Sequence, residues 1–191
     1  MKFSAETAQT LDSLVTKAAD NIPGTTVVVV SKDGSELFVK SAGKRGVASS
    51  ESMTTDNIFW IASCTKMLTG LSCMQLVEKG ILKLDDAEHL EKLLPEFKKT
   101  QVLGKDGKLS PLKNKITLRM LLTHTAGFGY AFFNEELRDF GYPSGIDEFS
   151  GDFFDIDQPV TFQPGENWQY GVSRTFQYAG ILLTKHLKDK H

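Results

Sequence analysis

A serine and a lysine three residues apart, Ser63 and Lys66, are the first candidates for chemistry in this chain. Side chains at positions i and i+3 of a helix lie on the same face, one turn apart. A serine hydroxyl becomes a useful nucleophile when a neighbouring group accepts its proton. The spacing therefore predicts an acyl-transfer nucleophile at Ser63 with Lys66 as its partner. The alternative is a helix cap followed by a solvated lysine.

The helix that follows decides between these two interpretations. Residues 63–79 carry apolar side chains around most of the helix circumference, and Gly80 provides a natural stop. A helix without a polar face is expected to be buried on nearly all sides. A lysine on such a helix is unusual, and desolvation would allow it to act as a base. The apolar wall around it would consist of Trp60, Ile61, Met67 and Leu68.

Tyr170 is the third candidate, and it lies behind a Pro164-Gly165 turn. An adjacent ammonium group favours the phenolate form of a tyrosine. We therefore predict that Tyr170 accepts the proton of Ser63 and later donates it to the leaving group. The alternative is a core tyrosine whose hydroxyl is satisfied by a hydrogen bond.

A histidine, His124, follows a short predicted helix over residues 118–123 that Thr117 can cap. A histidine in this position can be interpreted as a general base. Gly127 and Gly129 follow it and indicate a loop. We favour a structural role for His124, in which its side chain hydrogen-bonds the backbone of that loop.

The elements that must position these groups are a mixture of helices and strands. The predicted helices cover residues 6–20, 63–79, 88–94 and 118–123, with a last one from Ser173 or Arg174. Two strands, 25–31 and 36–41, flank an Asp33-Gly34 hairpin turn. The stretches 43–57 and 98–115 are predicted to be loops, and 130–169 is rich in aromatics but shows little periodicity.

Composition fits one soluble domain over residues 1–191, since 40 % of the residues are hydrophobic and 24 % are charged. The formal net charge of -2 gives no electrostatic case for nucleic acid or an anionic membrane. The first residues do not resemble a secretory signal, and no run is long enough to span a bilayer. A cytoplasmic location is therefore predicted, and the oligomeric state stays open.

The two cysteines, Cys64 and Cys73, are predicted to lie on one helix, about 13 Å apart along its axis. That separation is too large for a disulfide, and two cysteines without further ligands do not make a zinc site. Both are predicted to be buried. No metal and no organic cofactor is implied.

Three strings together resemble the serine β-lactamase and penicillin-recognising family, in particular its class C-related esterase and transesterase branch. The first is Ser63-Cys64-Thr65-Lys66. The second is Leu-Leu-Thr-His-Thr-Ala-Gly-Phe at 121–128, and the third is Pro-Gly-x-x-Trp-x-Tyr-Gly at 164–171. They occur in the family's order, and the resemblance covers roughly residues 10–188.

The resemblance implies that Ser63 is the acylated nucleophile, that Lys66 is its partner and that Tyr170 is the tyrosine of a Tyr-x-Asn or Tyr-x-Ser element. Ser173 would then be the substrate-binding serine, although its spacing differs from the strict pattern. The missing asparagine favours an esterase or acyltransferase over β-lactam hydrolysis. Members of the family also carry a later Lys-Thr-Gly or His-x-Gly strand, which is not seen after Tyr170.

We therefore predict an α+β, β-lactamase/transpeptidase-like fold, with an α/β sheet part and a helical part, incomplete at its C-terminus. The predicted activity is hydrolysis or acyl transfer on a small-molecule ester, thioester or amide, through an acyl-enzyme on Ser63. The alternative is a truncated, non-catalytic remnant of the family with at most a binding role, because half of the oxyanion hole would be missing.

Overall fold

The computed structural model describes residues 2–150 and 158–171, so Ser173 and the predicted last helix lie outside the described residues. The chain divides into two compact units, residues 1–60 and 61–191. The prediction of one domain over the whole chain stays a prediction. No helix within the described ranges is long and apolar enough to cross a membrane.

The first unit consists of one helix and one hairpin. Helix α1 (Ala5–Ala18) begins where the Ser4 side chain accepts the Thr7 N–H, which satisfies one of the free donors of the first turn. Strands β1 (Gly24–Val30) and β2 (Glu36–Gly43) pair antiparallel. The hairpin and its Asp-Gly turn are therefore where the sequence predicts them, within a residue or two.

The second unit is built from short helices and a small second hairpin. Its elements are α2 (Thr65–Glu78), α3 (Ala87–Leu93), β3 (Gln101–Leu103), β4 (Leu109–Pro111), α4 (Leu118–Leu122) and α5 (Glu135–Gly141). Thr117 caps α4 as predicted, because its side chain accepts the Met120 N–H. The elements β3, β4 and α5 were not predicted, since three-residue strands and a seven-residue helix are too short to show a period.

The core of the second unit gathers apolar side chains from α2, α3, α4 and the segment 158–171. Its members of lowest exposure are Cys73, Leu90, Leu94, Leu118, Leu121, Ala126 and Val160. Val160 also joins β3, because its N–H donates to Gln101 O at 2.9 Å and its carbonyl accepts the Leu103 N–H at 2.7 Å. The core therefore fixes the start of the segment that carries Tyr170.

Replacing Leu121 by alanine is expected to lower the free energy of unfolding by about 2–5 kcal/mol, because the side chain is 0 % exposed and its removal leaves a cavity. Leu71→Ala is the matched control, since Leu71 is 58 % exposed and its loss should cost less than about 0.5 kcal/mol. Urea titration followed by circular dichroism measures both. Equal losses in the two variants would show that this core does not hold the unit together.

The expected burial of α2 is wrong for most of its surface. Cys73 and Leu76 are the buried residues of this helix. Apolar side chains elsewhere on it stay exposed, and they are Met67, Leu68, Leu71 and Met74. Cys64 is exposed too, which corrects the prediction that both cysteines are buried. The apolar circumference correctly indicated a helix, but it could not show how much of the helix is covered in this chain.

Candidate active site

Ser63 and Lys66 lie where a 3₁₀ turn, Ala62–Cys64, runs into α2. The ammonium group of Lys66 donates a hydrogen bond to Ser63 Oγ at 3.0 Å. The predicted pairing of these two side chains is therefore present, and it follows from their i, i+3 spacing. In this geometry Lys66 orients the hydroxyl and places a positive charge beside it.

The four side chains predicted to form an apolar wall around Lys66 are exposed among the described residues. Trp60 is 95 % exposed and Met67 is 73 % exposed, and Ile61 and Leu68 are exposed as well. Lys66 itself is half-buried. Desolvation by these four side chains therefore does not support Lys66 as the base.

Tyr170 lies beside this pair. Its ring centroid lies 5.0 Å from Lys66 Nζ. A hydrogen bond from Ser63 lowers the pKa of Tyr170 below its ordinary value, and the hydrogen bond and positive charge of Lys66 act in the same direction, while burial opposes them. The structure thus brings Ser63, Lys66 and Tyr170 together.

A second tyrosine close by behaves in the opposite way. The ring of Tyr130 lies 6.0 Å from that of Tyr170, between centroids. Burial, the neighbouring Tyr170 and the charge of Glu148 raise the pKa of Tyr130 to about 12. The pKa values of Tyr130 and Tyr170 are thus shifted in opposite directions by their surroundings, as is typical of groups with different roles in proton transfer. Tyr170 is the phenol suited to lose its proton.

The loop after α4 holds Tyr170 in place by pairing with the segment that carries it. The carbonyl of Thr125 accepts the Gly165 N–H at 2.8 Å, and the carbonyl of Gly127 accepts the Thr161 N–H at 2.9 Å. The second and third strings of the sequence are therefore neighbours in space. This contact could not be deduced from spacing alone.

Two glycines allow this close approach. Gly127 has φ +97°, and a Cβ there would lie 2.6 Å from Phe162 O. A Cβ on Gly171, which follows Tyr170 directly, would lie 2.6 Å from Phe128 O. Side chains at either position would push the two segments apart. Gly127 and Gly171 thus allow the two segments to pack closely, and this packing fixes the backbone next to Tyr170.

Backbone strain also lies beside the candidate groups. Within the described residues, the non-glycine residues with positive φ are Ala62, at 43°, and His124, at 60°. This conformation costs an L-residue about 1–2 kcal/mol. Ala62 precedes Ser63, and the imidazole of His124 lies against Tyr170, with ring centroids 4.7 Å apart. Strain of this kind persists where the surrounding structure enforces it, and it concentrates at functional sites.

An exposed group of aromatic side chains extends from Tyr130 and His124, and we call it the aromatic face. Phe132 lies 4.4 Å from the Tyr130 ring and Trp168 lies 6.2 Å from the His124 ring, between centroids. All its members are at least half exposed, and they are Phe132, Phe133, Phe149 and Trp168. The sequence showed only the aromatic richness of 130–169, without a period that would group these residues.

A buried carboxylate holds this face together. Glu148 accepts the Ala131 N–H at 2.6 Å, which ties the loop before Phe132 to the residue before Phe149. Burial raises the pKa of Glu148, although the hydrogen bond from Ala131 opposes this. Within residues 2–150 and 158–171 no cluster of histidine, cysteine and acidic residues could hold a metal ion.

Comparison with known proteins places the chain in a family. The family model described as Beta-lactamase matches residues 11–175. The chain therefore belongs to the beta-lactamase family, as the three strings predict.

Its relatives include acyltransferases and esterases. The chain is 35 % identical to acyltransferase calJ of Penicillium decumbens, over 80 % of this chain and 37 % of that protein. It is 31 % identical to lovastatin esterase of Penicillium rubens, over 86 % of this chain and 43 % of that protein. The chain thus spans less than half the length of these relatives.

Solved structures agree on the fold. Simvastatin synthase (LovD) from Aspergillus terreus superposes with a TM-score of 0.80 at 28 % identity, and the match covers 97 % of this chain and 49 % of that one. The predicted β-lactamase/transpeptidase-like fold class is confirmed.

Proposed function

We propose that this chain carries out serine acyl transfer, with Ser63 as the nucleophile, Tyr170 as the proton acceptor and donor, and Lys66 as the cation that holds both. The observation that carries the proposal is the hydrogen-bonded series from Lys66 through Ser63 to Tyr170. The acyltransferase and esterase relatives support the same chemistry.

The first half-reaction forms the acyl-enzyme. Ser63 Oγ attacks the carbonyl carbon of an ester or thioester, and its proton passes to the Tyr170 oxygen. The bond between carbonyl carbon and leaving group then breaks, and Tyr170 returns the proton to that group. The ammonium group of Lys66 stabilises the phenolate form of Tyr170 between these events.

The second half-reaction repeats these steps with another acceptor. Water or an alcohol attacks the acyl carbon and gives its proton to Tyr170. The acyl carbon then releases Ser63 Oγ, which takes that proton back. Water gives a hydrolase and an alcohol gives an acyltransferase. The site residues are the same in both cases, so the acceptor depends on what the surrounding surface binds.

The aromatic face supports an apolar substrate. Exposed aromatic side chains next to a reactive group indicate a binding surface for apolar ligands. The face continues from Tyr130, which contacts Tyr170, so an acyl chain or acceptor placed on it can reach Ser63. We therefore propose esters or thioesters with a bulky apolar group as substrates.

Replacing Phe132 by alanine is expected to lower kcat/KM for an octanoyl ester about fivefold, while that for an acetyl ester stays within about twofold, because only the longer chain covers the ring. Leu109→Ala, an exposed apolar residue on β4, is the control. Initial rates with the two p-nitrophenyl esters measure the ratio. Equal losses for both esters would argue against binding on the aromatic face.

The proposed function is tested by covalent trapping. The 191-residue chain is incubated with p-nitrophenyl butyrate, quenched in acid and analysed by peptide mass spectrometry. A butyryl group on the Ser63 hydroxyl is the expected result. Absence of both this adduct and ester hydrolysis would overturn the proposal and favour a non-catalytic role for the chain.

A further inference from the structure

We propose that His124 is a positioning residue for Tyr170 and that only its neutral imidazole holds Tyr170 in line with Ser63. Protonation of His124 then switches acyl transfer off on the acid side. This proposal rests on the proposed function, and it adds a pH-dependent control of the same site.

The geometry around His124 carries the proposal, because this one residue holds three consecutive residues of the opposite segment. Its carbonyl oxygen accepts the Gln169 N–H at 3.0 Å. Its Nδ1 accepts the Gly171 N–H at 3.4 Å. Its ring lies against the Tyr170 ring between these two bonds, with centroids 4.7 Å apart and a tilt of 41°. The position of Tyr170 along its backbone is thus set from both sides.

The backbone of His124 is committed to this arrangement. Its φ of 60° is a left-handed conformation, in which asparagine, aspartate and histidine are enriched several-fold. This conformation turns the chain directly after Thr123, the C-cap of α4. The turn aims both the carbonyl and the ring of His124 at the segment 169–171.

The hydrogen bond to Gly171 fixes the required protonation state. Nδ1 accepts an N–H only while it carries no proton, so the imidazolium form cannot make this bond. The titratable groups near the ring include Lys66 from α2 and Tyr170 from the segment 158–171. Burial lowers the pKa of His124, and the charge of Lys66 lowers it further. Near neutral pH the residue is therefore in the form that positions Tyr170.

Protonation of His124 changes both its hydrogen bonding and its charge. The imidazolium loses the bond to Gly171 and adds a second cation close to Lys66. The backbone around Tyr170 then keeps its hydrogen bond at Gln169 and loses the one at Gly171. A displacement of about 1 Å in a reacting group can cost about a hundredfold in rate. The acid form should therefore be nearly inactive even while the chain remains folded.

The pH dependence of kcat/KM tests the proposal. In the wild-type chain, log kcat/KM should fall with a slope near one as Tyr170 becomes protonated, and with a slope near two below the pKa of His124. That second limb should lie below the ordinary histidine value of about 6.5. His124→Asn tolerates the backbone and retains an acceptor without titrating, so its slope should stay near one. His124→Ala loses the acceptor and should lower kcat about ten- to a hundredfold at every pH.

His89→Asn is the matched control for a histidine outside the site. His89 is half-buried in α3, and its Nε2 hydrogen-bonds the Ile81 carbonyl at 3.1 Å. Its replacement should leave the slope of two unchanged. Circular dichroism at each pH checks that the chains compared are folded. Identical slopes in wild type and His124→Asn would overturn the positioning role of His124.

A second readout is independent of activity. The Tyr170 ring signal in ¹³C-tyrosine-labelled chain, assigned by its loss in Tyr170→Phe, should shift with an inflection at the pKa of His124. The inflection should vanish in His124→Asn and persist in His89→Asn. If Ser63 is not acylated but the inflection is present, only the proposed function is overturned. If acylation is normal but the inflection is absent, the coupling between His124 and Tyr170 is overturned.

Discussion

Ser63→Ala is expected to lower the rate of acyl-enzyme formation at least about a thousandfold, since the methyl group offers no lone pair to the carbonyl carbon. Folding should be unaffected, because Ser63 is exposed and its side chain is not part of the core. Stopped-flow release of p-nitrophenol measures the first half-reaction directly. Acylation at the wild-type rate in this variant would rule out Ser63 as the nucleophile.

The neighbouring thiol needs its own control. Cys64 is exposed, and a cysteine is intrinsically more nucleophilic than a serine. An activated ester can therefore label Cys64 without any catalysis. Cys64→Ala should form the acyl-enzyme at close to the wild-type rate, with the group mapped to Ser63. Hydroxylamine at neutral pH releases thioesters readily, so label that this treatment removes from Ser63→Ala identifies the thiol rather than a second active residue.

Tyr170→Phe should lower kcat about 10²- to 10⁴-fold, which is the range lost when a proton-transfer group is removed. The ring and its contacts with His124 and Tyr130 are retained, so the loss would report the hydroxyl alone. In the proposed mechanism the phenolate is the active form of Tyr170, so wild-type kcat/KM should rise with pH and level off below the ordinary tyrosine pKa of about 10. This limb should be absent in Tyr170→Phe.

Tyr130→Phe is the matched comparison for Tyr170→Phe. Tyr130 lies in the same cluster and is 4 % exposed, but its pKa is raised to about 12, so it stays protonated throughout the assay range. Its hydroxyl should therefore contribute less than about threefold to kcat. Steady-state kinetics from pH 6 to 10 distinguish the two variants. A larger loss in Tyr130→Phe than in Tyr170→Phe would contradict the role proposed for Tyr170 and assign the proton transfer to Tyr130.

Local features of the chain could be predicted from the sequence because their causes are local. The Thr117 cap, the Asp33-Gly34 hairpin and the pairing of Ser63 with Lys66 each depend on residues within a few positions of one another. The arrival of Tyr170 at this pair depends on the loop around His124, which is distant in sequence. The sequence indicated the three strings through their order and their family resemblance. The backbone hydrogen bonds that join the second string to the third are seen only in the structure.

The sequence predictions were wrong about how much of α2 is covered by other residues. An apolar circumference indicates that α2 favours burial, but it does not say what lies over each face, and Met67 and Leu71 are in fact exposed. The same reasoning explains why the aromatic face was not recognised. Its members come from separate loops without a shared period, and Glu148, which orders two of those loops, gave no signal in the sequence.

The position next to Tyr170 and the rings of the aromatic face differ in how far they tolerate substitution. A single added methyl group at position 171 would collide with a neighbouring carbonyl and carry the phenol away with the backbone, so that stretch has little room for change. The rings of Phe132 and Phe133 are less constrained, since they are 50 % and 70 % exposed. The substrate preference of the proposed reaction should therefore be easier to change at these rings than at position 171.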